Sequence, residues 1–431
     1  MLGFALLTPT YGVYDGALIT FVKKTLPMAD HRPELLWIES QLPAMRGELL
    51  QLAQINSGSF NAAGVDAVAA RLDTLFAPLG AASERIALEP FRSTADDGTV
   101  KERSLGSALR LRQRPDAPLQ IFFCGHMDTV YAIDSPFQQV RELDADRLNG
   151  PGVADLKGGL LVMWLALSAL ERSAHRERIG WEVLFNPDEE IGSRGSAQLL
   201  AEAAGRNHLG LIYEPAYADG NLASARKGSG NFDLVIKGRA AHAGRNPEDG
   251  RNAIAAASEL ISALNALNGR REGLTLNPGY VRGGGALNIV PDLCVFKFNV
   301  RTSQPADEGW LHDQLDLLLA RVNARDGYAV ELRGGFTRPP KLFDEKHQRL
   351  AAMIGDCGRA LDLDLQFKPT GGCCDGNNLA AHGLANVDNL GVVGSEIHSE
   401  REWMRVSSLA ERGKLSALLL LRLASGELSW P

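Results

Sequence analysis

The chain has 431 residues, enough for two to three domains, and its 45 Lys and Arg against 52 Asp and Glu leave a formal charge of −7. No global basic field exists to gather phosphates, which argues against nucleic acid as a partner. Hydrophobic residues at 45% and charged residues at 23% are ordinary for a globular chain and exclude general disorder.

Residues 1–22 are apolar, but Pro9, Gly12, Asp15 and Gly16 interrupt them and Lys23 and Lys24 follow. That is the reverse of a secretory signal. Residues 1–40 read as an N-terminal extension, with Met28 an alternative start. No uncharged apolar run of about 18 residues occurs, so no membrane partner is expected. The five cysteines (Cys124, Cys294, Cys357, Cys373 and Cys374) are odd in number and lack a CxxC spacing. Neither a disulfide framework nor a zinc ribbon follows, and a reducing, cytoplasmic setting is expected.

Val65, Val68, Leu72 and Leu75 recur at helical spacing and predict a helix over 61–77. LQIFFC at 119–124 reads as a buried strand, Gly158–Ser168 as a buried helix, and 181–186 and 209–213 as further buried strands. Alternating strands and helices predict a mostly parallel sheet covered on both faces. From 228 the texture changes. A strand at 230–237, a helical stripe from Ile254 to Leu267, strands near 274–282 and 293–301, a helix at 306–325 and a strand at 328–333 follow. The order β-α-β-β-α-β is that of a ferredoxin-like unit. Helical spacing resumes at Leu350, a strand is expected at VDNLGVV, and a leucine-rich helix ends the chain. The fold class is therefore α/β: a large domain in two parts, 41–227 and 338–431, interrupted by a smaller α+β domain at 228–337.

Candidate chemistry sits where strands end, which is where open α/β sheets collect their sites. His126 and Asp128 in GHMDTV are two apart, so on a continuing strand they share one side. They read either as a capped strand end or as a metal-binding imidazole held by a carboxylate. Asp155, in GPGVADLKGG, is either an N-cap or a ligand that small neighbours leave approachable. Asp188, Glu189 and Glu190 follow a hydrophobic strand, where burying three negative charges would require cations. One of the two glutamates can bind a metal while the other faces water. Glu214 and His398 complete the set. Oxygen and imidazole donors without thiolates suit zinc, cobalt or manganese. Five ligands exceed one catalytic zinc and suit two metals sharing a carboxylate.

GHMDTV, GPGVADLKGG, NPDEEIGS, YEP and IHSE, in this order, resemble the dinuclear zinc amidohydrolases. That family includes glutamate carboxypeptidase, acetylornithine deacetylase, succinyl-diaminopimelate desuccinylase and aminoacylase. The resemblance implies a zinc-exopeptidase-like catalytic domain interrupted by a ferredoxin-like dimerisation domain, hence a homodimer. It implies two zinc ions, one held by His126 and Glu214, the other by Glu190 and His398, with Asp155 bridging. It makes Asp128 the residue that orients His126, and Glu189 the general base. It also implies a cis peptide after Asp155. In GRAAHAG it implies that His242 reaches across a dimer to stabilise an oxyanion. Asn288 and Arg301 match positions that bind a substrate carboxylate, which suits the planar fork of arginine. TGGCCDGN resembles the family's glycine-rich substrate loop, implicating Gly371 and Gly372. Cys373 and Cys374 depart from it, since small glycine, serine or threonine residues usually stand there. The expected activity is amide hydrolysis releasing a C-terminal amino acid, as in glutamate carboxypeptidase, from a small peptide or N-acyl amino acid. An N-acyl-amino-acid deacylase is the alternative, and a non-catalytic metal-stabilised binding protein the alternative of another class.

Overall fold

The computed structural model of the protein describes residues 30–431. Of the expected extension at 1–40, residues 1–29 and with them Met28 lie outside the described residues. Residues 32–40 are no extension. They form the helix Arg32–Ser40, whose Ile38 is fully buried in the main core. Trp37 packs on Trp164 of the central helix, with ring centroids 6.0 Å apart. Charged residues on the outer face of this helix hide its short apolar stripe from a linear reading.

The central sheet has six strands in the spatial order Ala82–Ile86, Ala108–Gln113, Ile179–Asn186, Leu119–His126, Leu209–Ile212 and Asn386–Val387. The last three pairings are parallel and the first two antiparallel. Side chains of Leu119–His126 alternate between layers, as strand geometry requires. Ile121 and Phe123 enter the core formed with helices Ala62–Phe76, Gly158–Arg172 and Ser408–Ser425. Phe122 and Cys124 enter a smaller core with Leu200 and Leu379 on the opposite face. The run Val153–Arg172 is long and apolar enough to cross a membrane, but 94% of its most apolar stretch is buried inside the protein. It is the helix on which the sheet packs.

The inserted residues build their own sheet, in the order Thr275–Gly283, Leu293–Thr302, Gly228–Lys237, Ala329–Arg338, all antiparallel. Helices Ala253–Asn265 and Ala306–Asn323 cover one face. Phe232, Leu234 and Ile236 alternate inward against Leu260, Leu264, Leu311 and Leu315, forming a core separate from the main one. The strand expected at VDNLGVV shrinks to Asn386–Val387. Asp388 turns inward to Arg226 and Lys341, and Asn389 takes a positive φ of 64°, so the ladder cannot continue.

Because Ile38 is part of the main core, Ile38→Ala should cost about 2–5 kcal/mol, read as a lower urea midpoint of the large domain. A shift within about 0.5 kcal/mol, as for surface sites, would show that the 32–40 helix is only appended.

Candidate active site

The parallel strands bring their carboxyl ends to one edge. His126 ends the 119–126 strand and pairs in register with Asn186, which ends its neighbour. Asp188, Glu189 and Glu190 follow Asn186, and Glu214 lies two residues beyond the 209–212 strand. Asp155 arrives from the tight turn before the central helix, and the peptide bond after it is cis, as expected. Glycine is required around this turn. A Cβ on Gly159 would lie 2.1 Å from the Tyr213 carbonyl oxygen, and Gly152 has a φ of 71°. His398 comes from the loop before Trp403–Arg405, itself at a positive φ of 62°.

These groups converge on Asp155. Its Oδ1 lies 3.1 Å from His126 Nε2, and its Oδ2 lies 3.2 Å from His398 Nε2. His398 Nε2 is also 3.2 Å from Glu190 Oε2. His126, Asp155 and Glu190 each present a donor atom within 4.8 Å of the others. Glu214 is buried and lines the same cavity.

The donor set fits cations. Burial and the charge of Asp155 push the Glu190 carboxyl up to about 8. Burial and Glu189 push Glu214 well above the usual carboxylate range. Against its own burial, the His126 and His398 imidazoles hold Asp155 below that range. Hydrogen bonds to Asp155 and Glu190 raise His398 to about 11. Glu190 Oε1 is buried without a hydrogen-bond partner among the described residues. The carboxylates of Asp155, Glu190 and Glu214 and the two imidazoles are a donor set whose negative charge metal ions would balance, and such ligands bind a metal in their deprotonated form.

Asp128 lies against His126 and has a second part. Its backbone carbonyl lies 2.9 Å from His126 Nδ1, nearer than its carboxylate at 3.4 Å. The carboxylate also accepts from Ser59 Oγ at 2.7 Å and from the backbone N–H groups of Glu189 and Glu190 at 3.1 and 3.2 Å. It thus holds the turn that carries both glutamates.

Three buried residues had no local signal. Glu402 Oε1 accepts from the N–H groups of Ala154 and Asp155 at 2.9 and 3.1 Å, and its Oε2 from Gly152 at 3.0 Å. It therefore fixes the turn that bears Asp155. Arg338 ends the last strand of the insert and donates to the Glu189 backbone carbonyl at 2.8 Å. Its Nη2 also lies 2.7 Å from Glu189 Oε1. Burial raises the Glu189 carboxyl, with Arg338 and His126 opposing. Arg226 lines the cavity while Asp388 holds it at 2.9 and 3.0 Å.

The remaining expectations divide. Gly372 and Cys373 line the cavity, and Arg301 Nη1 donates to Cys373 Sγ at 3.1 Å. Gly371 stands beside them, exposed. Cys374 turns inward, its thiol accepting from Gly376 N at 3.3 Å at the start of helix Asp375–Ala381. His242 and Asn288 are not brought to the cavity within one chain. They lie together on an exposed loop face of the insert, where Ala243 N donates to the Asn288 carbonyl at 2.9 Å.

A family model described as Peptidase family M20/M25/M40 matches residues 122–422. Carboxypeptidase G2 from Pseudomonas sp. (strain RS-16) is 27% identical over 393 residues, covering 89% of this chain and 90% of that protein. A succinyl-diaminopimelate desuccinylase from Alkalilimnicola ehrlichii is 26% identical over 368 residues, covering 80% and 95%. A solved M20 family metallo-carboxypeptidase from Sulfolobus solfataricus aligns with a TM-score of 0.68 at 16% identity, over 88% of this chain and 99% of that one. A dinuclear metal-binding M20 peptidase from Bacillus subtilis aligns with a TM-score of 0.60 at 15% identity, over 90% and 99%. At these identities the structures share the fold.

Glu402→Gln removes one acceptor oxygen from the turn bearing Asp155. Losing a group that orients a metal ligand typically costs about 10- to 100-fold in metal affinity. The variant should show that loss in a zinc titration while its far-UV circular dichroism is unchanged; wild-type affinity would remove Glu402 from the site.

Proposed function

The chain belongs to the M20/M25/M40 family of peptidases and is an enzyme of peptide or acyl-amino-acid hydrolysis, and on that premise we propose that it is a two-metal carboxypeptidase. The observation that carries the proposal is the convergence of His126, Asp155, Glu190 and His398 around one bridging carboxylate. A non-catalytic binding protein is set aside by the family.

His126 and Glu214 would hold one ion and Glu190 and His398 the other, with Asp155 between them. Zinc suits these nitrogen and oxygen donors, as do cobalt and manganese. The related Bacillus subtilis fold is described as dinuclear. When bound, such a pair polarises the amide carbonyl and lowers the pKa of water to about 7.

Glu189 is the proton carrier. It lines the cavity, and Arg338 fixes it through both its carboxylate and its backbone carbonyl. Burial raises its basicity above that of a solvated carboxylate. It accepts the proton of the attacking water and returns it to the leaving amine. Arg226 and Gly372 line the cavity and Arg301 stands behind Cys373; with Gly371 they are the cationic and amide-bearing groups that would hold a free carboxylate. The likeness to carboxypeptidase G2 supports release of a C-terminal residue. The desuccinylase relative supports a second reading, deacylation of N-acyl amino acids. A panel of C-terminal dipeptides against N-acyl amino acids separates the two.

Dimerisation through the insert belongs to the same proposal. Thr275–Gly283 is an edge strand, with backbone groups free to pair. Leu287 is 100% exposed, and Val281 and Ile289 are also open to solvent beside it. Dimerisation there would cover these side chains and carry His242 and Asn288 towards a partner's cavity. Cytoplasmic residence is supported by five free cysteines.

Glu189→Gln should lower kcat by about 10²- to 10⁴-fold while metal analysis still finds two ions per chain; near-normal turnover would remove Glu189 as the base. Leu287→Asp should shift the species seen in analytical ultracentrifugation from dimer to monomer, and an unchanged dimer would place the interface elsewhere.

A further inference from the structure

The two thiols of TGGCCDGN take no part in the reaction described above, and the fold gives them opposite settings. Cys374 is buried, its thiol accepting from Gly376 N at 3.3 Å. Cys124, Cys294 and Cys357 are buried as well. Among the described residues Cys373 is therefore the one partly exposed cysteine, and it stands in the wall of the cavity that holds Glu189. We propose that Cys373 is an oxidation site at which a hydroperoxide switches the enzyme off, through a sulfenic acid held between Arg301 and Arg338. The chemistry at sulfur is independent of the hydrolase reading, and its effect on turnover rests on that reading.

Two guanidinium groups face the thiol, and the insert delivers both. Arg301 lies on the strand Leu293–Thr302 and Arg338 ends the strand Ala329–Arg338. Arg301 Nη1 is 3.1 Å from Cys373 Sγ, and Arg338 Nη1 is 3.8 Å from it. Arg338 is only 6% exposed, yet its Nε has no hydrogen-bond partner among the described residues. Its Nη1 has no acceptor there nearer than this sulfur. A neutral thiol accepts hydrogen bonds weakly, and buried donors left unmet cost free energy. An oxygen bound to the sulfur would supply the acceptor that these donors are missing.

A small peroxide has room to arrive. A Cβ on Gly371 would meet nothing within 4 Å, and one on Gly372 would meet nothing nearer than Arg226 Nη1 at 3.7 Å. Partial exposure beside cationic groups is the setting of reactive cysteines. The sulfur attacks the terminal oxygen of the hydroperoxide, so an S–O bond forms while the O–O bond breaks. Sulfur gives up two electrons, and the leaving oxygen takes the thiol proton and departs as an alcohol, or as water from hydrogen peroxide. Cys374 cannot resolve the sulfenic acid, because its sulfur is turned to Gly376 N and to Asp388 Oδ2 at 3.7 Å. A small thiol does so instead, displacing water to give a mixed disulfide, and a second thiol then frees Cys373.

Arg338 connects this sulfur to the reaction. Its Nη2 fixes Glu189 through the carboxylate at 2.7 Å and through the backbone carbonyl at 2.8 Å. An oxygen on Cys373 competes for the same guanidinium and draws it away from Glu189. It also occupies Arg301 and takes up space in the cavity wall beside Gly372. The base loses its fixed position, and a substrate carboxylate loses one of its cations.

The test treats the zinc-loaded full-length enzyme with hydrogen peroxide, traps sulfenic acid with dimedone and maps the adduct by peptide mass spectrometry. The adduct should fall on Cys373 and spare the four buried cysteines. Turnover should drop by about 100-fold, the lower end of what a lost general base costs, with zinc content unchanged, and glutathione should restore it. Cys373→Ser, compared with its own untreated sample, should keep its rate under the same treatment. Arg301→Gln should slow adduct formation several-fold. Absence of the adduct from Cys373, or equal loss of activity in the wild type and Cys373→Ser, would overturn the proposal, as would an adduct that leaves turnover unaltered. An adduct on Cys373 in a protein that hydrolyses no peptide or N-acyl amino acid keeps the oxidation site and removes the hydrolase reading.

Discussion

One buried carboxylate, Asp155, organises the centre of this molecule. Each of its oxygens faces a different imidazole, His126 at 3.1 Å and His398 at 3.2 Å, and Glu190 shares the second. Burying several carboxylates this closely costs free energy unless opposite charge compensates them. The imidazoles face that negative charge, and metal ions held between them and the carboxylates would balance it. The turn must also be tight enough to bring Asp155 between strands, which is why glycines surround it and why Gly159 lies against the Tyr213 carbonyl.

Around this centre lies a second set of buried charges that keeps the first in place. Glu402 grips the backbone of the Asp155 turn, and its carboxyl is raised to about 7 by burial and by Asp155. The Asp128 carboxylate grips the backbone of the Glu189–Glu190 turn. Asp388, though buried, is held down at about 2 by Arg226 and Lys341. Arg338 ties the insert to the Glu189–Glu190 turn, because the last strand of the insert delivers it directly onto Glu189. The hydrophobic core of the insert is separate from the main one, yet their charges are joined at Arg338.

What the linear chain revealed follows from locality. The 119–126 strand, the central helix and the six elements of the insert are written in short-range periodicity, which one layer of packing enforces. The candidate site residues were legible for the same reason, since an apolar run that breaks into acid or histidine marks a strand end. The Arg32–Ser40 helix escaped because its apolar stripe is short and only its neighbours, Trp164 among them, give it a core to face. The strand at VDNLGVV failed because a buried ion pair at Asp388 outweighs β-propensity.

The sequence by itself determined the α/β class, the interrupting ferredoxin-like order and the types of side chain at each strand end, because these depend on neighbours a few residues apart. Only the tertiary structure decided that Glu402, Arg338 and Arg226 stand beside those side chains. Their partners lie well over a hundred residues away along the chain. A charge that is buried by distant segments leaves no periodic trace, so its role exists only once the layers have closed on it.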